Sequence, residues 1–169
     1  MLIWLSFALA ELPVPNYRDT LAEAAGAEVV RIREREGAEA AEAAGRRWMK
    51  TMGESPRVLY EIGLGYRLSG EEERSLALLD QAVELDPTFA AARYDRGEVR
   101  LLAGDLEGAE ADFLAVVAAQ PTAWPGWFRL SDVSARRGDA SAFEKRLLTA
   151  FRYGFSASMV ATDPTWRGF

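Results

Sequence analysis

Apolar residues recur at helical spacing along most of this chain. Between Asn16 and Arg35 they fall at Leu21, Ala24, Ala25, Val29 and Ile32. Steps of three and four place them on one side of a helix, which Asn16 or Asp19 can cap. Gly37 interrupts, and Ala38 to Met52 repeats the pattern with Ala41, Ala44, Trp48, Thr51 and Met52 on one side. Gly53 to Pro56 ends that second helix, because Gly stops a helix and Pro cannot continue one. The run Arg31, Arg33, Arg35 alternating with Glu34 and Glu36 reads as a solvated face.

From Pro56 onward a longer period is laid over the helical one. Tyr60, Tyr94 and Phe128 stand 34 residues apart, as do Gly70, Gly104 and Gly138, while Pro87 and Pro121 close two of the units. A period of this size predicts stacked repeats, each completing the core of its neighbour. Residues 56–89, 90–123 and 124–154 each read as helix, Gly–acid turn, helix. The turns are Gly70–Glu71, Gly104–Asp105 and Gly138–Asp139. Gly supplies the left-handed end of the first helix, and the acid meets the free amides of the next. Small residues (Gly63, Gly97 and Ser131; Ser75, Ala109, Ala82 and Ala150) fall where helices must approach closely. Leu79, Phe113 and Leu147 fill the gaps between them. Residues 16–55 have the same helix-turn-helix shape without clear signature positions, as terminal units often do.

Residues 1–15 form an apolar N-terminal segment. Met1 to Ala10 carries no charge, ends in Ala8-Leu9-Ala10 and is followed by Glu11 and Pro13-Val14-Pro15. It is far shorter than the roughly 20 residues a membrane-spanning helix needs. Two readings stand side by side. One is the remnant of an export signal whose basic n-region lies upstream, giving a periplasmic protein; the other is an apolar arm packed on a cytoplasmic domain.

Composition narrows the chemistry. With 169 residues and 49% hydrophobic content the chain suits one globular domain. A formal charge of -6 disfavours nucleic acid, whose affinity comes from neutralised phosphates. There is no Cys and no His, so disulfides, thiolate chemistry and the commonest general base and metal ligand are absent. No phosphate loop, nucleophile elbow or metal spacing is present, so neither a cofactor nor a metal site is expected. Glu98 and Asp132 could form a carboxylate pair, the minimum apparatus for glycoside hydrolysis, but acids on exposed helix faces are ordinarily solvation. No catalytic residue is assigned.

The repeat units resemble the tetratricopeptide repeat. Residues 56–89 match through Leu59, Ile62-Gly63, Tyr66, Gly70, Leu79, Ala82 and Pro87. Residues 90–123 keep Gly97, Gly104, Ala109, Phe113 and Pro121 but place Arg93, Arg96 and Arg100 at positions often apolar. In 124–154 Trp127, Leu130, Gly138 and Ala150 fit, whereas Ser131, Ser134 and Phe143 depart. Residues 155–169, entered through Gly154-Phe155 and with Asp163-Pro164 within, resemble the cap that follows such arrays. The resemblance implies an all-α, right-handed superhelical solenoid of antiparallel helix pairs. It also implies a structural ion pair, Arg96 with Asp112, between the helices of the second unit, where a half-buried guanidinium needs a carboxylate.

The family lines a concave groove with the first helix of each unit. The matching positions here are an aromatic row, Tyr60, Tyr94 and Phe128, beside Glu61, Asp95 and Arg129, then Leu64, Glu98 and Asp132. Leu68 and Leu102 add apolar area, with Arg67 and Arg136 at the edge. Such a surface suits an extended or helical peptide; the competing reading is that the aromatics seat intramolecular packing. The carboxylate clamp of chaperone-binding members is missing. Its positions hold Tyr60, Leu64, Asp95, Pro125 and Arg129, of which only Arg129 agrees, and Asp95 would repel a carboxylate. Trp124 and Trp127, with Pro125 between them, could form a carbohydrate or proline-motif platform. Trp127 occupies a signature core position, however, which leaves only Trp124 to be exposed, and packing is the expected role. The expectation is a non-catalytic module that binds a protein or peptide. The alternative is a structural component of a cell-envelope assembly with an exported or anchored N-terminus. Oligomeric state and partner identity are left open.

Overall fold

In the computed structural model, residues 17–156 and Ser158 are described; the apolar segment 1–15 and most of the closing stretch 155–169 lie outside the described residues. Eight α-helices follow one another among the described residues: α1 (Tyr17–Glu36), α2 (Ala38–Met52), α3 (Pro56–Leu68), α4 (Glu72–Leu85), α5 (Ala90–Leu102), α6 (Leu106–Ala119), α7 (Trp124–Arg137) and α8 (Ala140–Arg152). The three repeats are α3–α4, α5–α6 and α7–α8.

The turns follow from their residues. Gly70, Gly104 and Gly138 adopt φ of 74°, 82° and 74°, the left-handed region that a side chain disfavours. Asp105 and Asp139 then cap the following helices by accepting from the amides of Gly108 and Ala142, each at 2.9 Å. Glu71 departs from the expected cap. Its carboxylate leaves the helix end and takes Arg33 of α1 at 2.5 Å and Arg74 at 2.6 Å. Arg33 is therefore a strut between α1 and the first repeat rather than part of a solvated face.

The core runs continuously from α1 into α5, with Leu59, Ile62, Leu79 and Ala82 fully buried. A second cluster around Phe113, Leu130 and Val133 joins α5, α6 and α7. A third, smaller one gathers Phe128, Ala150 and Phe155.

The N-terminal pair differs from its expected register. In α1 the buried residues are Ala22, Ala25, Gly26 and Val29, while Leu21 is 47% exposed. The stripe is rotated because the backbones of α1 and α3 nearly touch. A Cβ on Gly26 would lie 2.3 Å from the Glu61 carbonyl oxygen, and one on Gly65 would lie 2.6 Å from that of Gly26. A glycine-to-glycine crossing selects the small face of α1 and leaves Leu21 outside. α2 packs through Ala41, Ala44 and Gly45, and the buried Tyr66 hydroxyl donates to the Ala41 carbonyl at 3.3 Å.

The same positions of the repeat are filled by three different chemistries. In the first unit they hold Leu59, Ile62, Tyr66 and Leu78. In the second they hold Arg93, Arg96, Arg100 and Asp112. Arg96 grips Asp112 through two nitrogens at 2.8 and 2.5 Å, so the two helices of the unit are joined as a charged pair. That pair sits inside a larger network. Arg100 reaches Asp112 at 2.9 Å and Arg93 reaches it at 3.3 Å, while Arg96 and Arg100 also bond Asp80 of α4 at 2.9 and 3.0 Å. In the third unit Trp127, Leu130, Ser134 and Arg146 take these positions; Arg146 donates to the Ser134 hydroxyl at 2.7 Å and reaches Glu110 of α6 at 2.5 Å.

Candidate protein-interaction groove

The first helices of the repeats, α3, α5 and α7, place the predicted site residues on one face and link them across units. The Tyr60 hydroxyl donates to Asp95 Oδ2 at 3.0 Å, and Arg67 meets Asp95 Oδ1 at 3.0 Å. Arg129 of α7 meets Glu98 of α5 at 2.5 and 2.8 Å. Arg57 pairs with Glu61 at 2.7 Å and with Glu23 of α1 at 2.8 Å. Asp132 takes Arg136 at 3.1 Å and lies 3.7 Å from Arg129. The charges of this face are thus committed to one another. Glu61 and Asp95 are buried, and Glu98 is largely so.

Burial sets the electrostatics. It pushes the carboxyls of Glu61, Asp95 and Glu98 above their usual range, against the opposing pull of Arg57, Arg67 and Arg129 respectively. The Tyr60 phenol is driven well up by burial and by the adjacent Asp95 charge. Burial likewise raises the Tyr94 phenol, which contacts the Arg129 guanidinium. Glu98 and Asp132, the pair considered for general acid and base work, share Arg129 and so serve as its counter-ions. Among the described residues no group of acids is placed to hold a metal ion.

The aromatic row divides. Tyr60 and Tyr94 are half-buried and line a cavity of about 440 Å³. Phe128 does not reach it: its ring is 9% exposed and lies 4.5 Å from Phe155. The residue after the last repeat thus covers the third aromatic, and the intramolecular role applies to that position. Trp124 takes its place at the cavity. It packs on Phe155 at 5.2 Å while its remaining surface faces the cavity. Ala90, Ala91 and Asp95 of α5, Val116 of α6, Gln120 just after it and the segment Ala123 to Gly126 complete the lining. The cavity exists because Trp124 shares a repeat phase with Ala90, so a bulky ring in one unit faces the short side chains of the preceding one. Gly126 lets α7 close on α6, where a Cβ would meet Val117 at 2.7 Å. Only the phase of Trp124, in a period otherwise occupied by small residues or Pro, marks this site in the sequence.

Leu68 and Leu102 lie at the opposite end of the same helices and are 64% and 63% exposed. Leu64 is half-buried between them and the tyrosines. The face therefore has an aromatic cavity at one end, a leucine pair at the other, and a band of internal ion pairs between.

Comparison with solved structures identifies the architecture. MamA from Desulfovibrio magneticus RS-1 superposes with a TM-score of 0.66 at 21% identity, covering 81% of this chain and 76% of that one. YrrB, described as a TPR protein with an unusual peptide-binding site, gives 0.67 at 19% identity over 83% and 73% of the two chains. No protein-family model and no curated protein matches the sequence, so the likeness is carried by structure. The chain has the all-α tetratricopeptide-type solenoid fold.

Proposed function

We propose that this tetratricopeptide-type chain is a non-catalytic interaction scaffold that captures a segment of a protein partner along the face of α3, α5 and α7. One observation carries the reading. The cavity bounded by Tyr60, Tyr94 and Trp124 is apolar, open and of the size that receives a bulky side chain. It continues into a face whose carboxylates are ion-paired, which leaves contact area rather than reactive groups. YrrB supplies a precedent for peptide binding on this fold.

Selection of a random-peptide display library against the full chain tests this reading. Recovered peptides are expected to carry an aromatic or large aliphatic anchor. Ala91→Trp fills the cavity from its half-buried wall and is expected to weaken them by about tenfold or more, with the thermal melt unchanged. Peptides held equally well by the Ala91→Trp chain would place binding elsewhere.

A further inference from the structure

We infer that the segment recognised by this face is an amphipathic α-helix of low charge, lying along α5 with its two apolar anchors in the aromatic cavity and on the Leu68–Leu102 pair. The inference rests on the scaffold reading above. Three observations lead to it.

The first is spacing. Tyr94 and Leu102 are eight positions apart on α5, as Tyr60 and Leu68 are on α3. At the helical rise this separates the two apolar ends by about 12 Å. A ligand helix covers that distance with residues seven or eight positions apart on one face.

The second is charge. Between the anchors lie Asp95 with Arg67 and Tyr60, and Glu98 with Arg129, at distances from 2.5 to 3.0 Å. A charged partner residue over this band would have to displace an ion pair already formed, at the cost of leaving a buried carboxylate or guanidinium unpaired. The complementary surface is therefore uncharged.

The third is the backbone of the partner. An extended peptide needs hydrogen-bond partners for its own N–H and C=O groups once water is excluded. The main-chain groups within α3, α5 and α7 are used in their helices, and the side chains of the band are ion-paired. The atoms there that lack a hydrogen bond, Arg67 Nε, Arg129 Nε and Glu98 Oε1, are buried beyond the reach of a partner's backbone. A strand laid here would lose hydrogen bonds to water without replacement, whereas a helix satisfies its backbone internally. The exposed leucines and the cavity then supply the affinity.

The test uses the full chain and a synthetic probe. This is a fluorescent, neutral Ala/Gln-based helix of about 16 residues carrying Phe and Leu anchors about seven positions apart, held by a hydrocarbon staple. Fluorescence anisotropy is expected to show binding whose Kd changes less than about twofold between roughly 50 and 500 mM NaCl. A central Pro in place of the staple, Ala91→Trp or Leu102→Glu is each expected to weaken it about tenfold. Leu102 is exposed and Ala91 lines an open cavity, and circular dichroism checks that both variants remain folded. Equal binding of the Pro-containing probe, a tenfold salt dependence, or indifference to Leu102→Glu would overturn the helix. A concentration-dependent dimer abolished by Leu102→Glu would overturn it in favour of a second copy of this chain. The display selection keeps the two readings apart. Binders that are extended and Pro-rich refute the helix alone, while no cavity-dependent binder at all refutes the scaffold.

Discussion

At the scale of single residues, Asp112 has the most at stake. It is 1% exposed and faces three guanidiniums, those of Arg93, Arg96 and Arg100, with Asp80 as the second counter-ion. Asp112→Asn keeps the shape but leaves the arginines under-compensated, and is expected to cost about 3–5 kcal/mol in urea unfolding. A loss below 1 kcal/mol would mean that Asp80 and solvent suffice. Phe128 and Ala91 separate in the same assay. Phe128→Ala empties a covered core position and is expected to cost about 3 kcal/mol or more, whereas Ala91→Trp, on the cavity wall, leaves stability unchanged. Glu110 gives a pH signature. Burial pushes its carboxyl up, but the ion pairs with Arg146 and Arg137 outweigh that and hold it below its ordinary value. A folded pKa below the unfolded value of about 4.3 means that the contribution is complete above that value and disappears as pH falls through the folded one. Glu110→Gln should therefore lower Tm by a few degrees at pH 7 and by progressively less below about pH 4. A constant difference across that range would assign the loss to packing.

At the scale of elements, the crossing of α1 on α3 shows how far pattern reading reaches. The helix itself is legible, since Leu21, Ala24, Ala25, Val29 and Ile32 carry the right spacing. The face it buries is not, because a stripe of mixed Leu and Ala fits a helix of the period wherever its partner lies. Gly26 and Gly65 choose the face by allowing two backbones to meet, a relation between residues far apart in sequence. Gly26→Ala inserts a methyl group against a backbone carbonyl that cannot swing aside, and is expected to cost about 1–3 kcal/mol. Amide hydrogen exchange should show protection lost first in α1. An unchanged denaturation midpoint would mean that the helices separate without penalty. The repeat turns are the opposite case. Gly70, Gly104 and Gly138 were readable because a left-handed residue is a local requirement, whereas the diversion of Glu71 to Arg33 was not, since Arg33 lies on another element.

At the scale of the whole molecule, a solenoid is stable unit by unit, and its ends differ. The largest core spans α1 to α5, while α8 buries Ala150 alone among its described side chains. Native-state hydrogen exchange should accordingly find the lowest opening free energy in α8 and the highest in α3 and α4. Uniform protection from α1 to α8 would instead indicate a single cooperative unit. The sequence by itself determined the helices, their pairing and the 34-residue repeat. These are periodicities, and each is set by neighbours three, four or 34 residues away that every unit repeats. Tertiary structure alone decided that Phe128 is covered by Phe155, that Trp124 stands at the cavity, and that the groove charges cancel one another. Each outcome depends on which side chains meet across two units of unequal composition, and identical phases in the repeat then meet different neighbours.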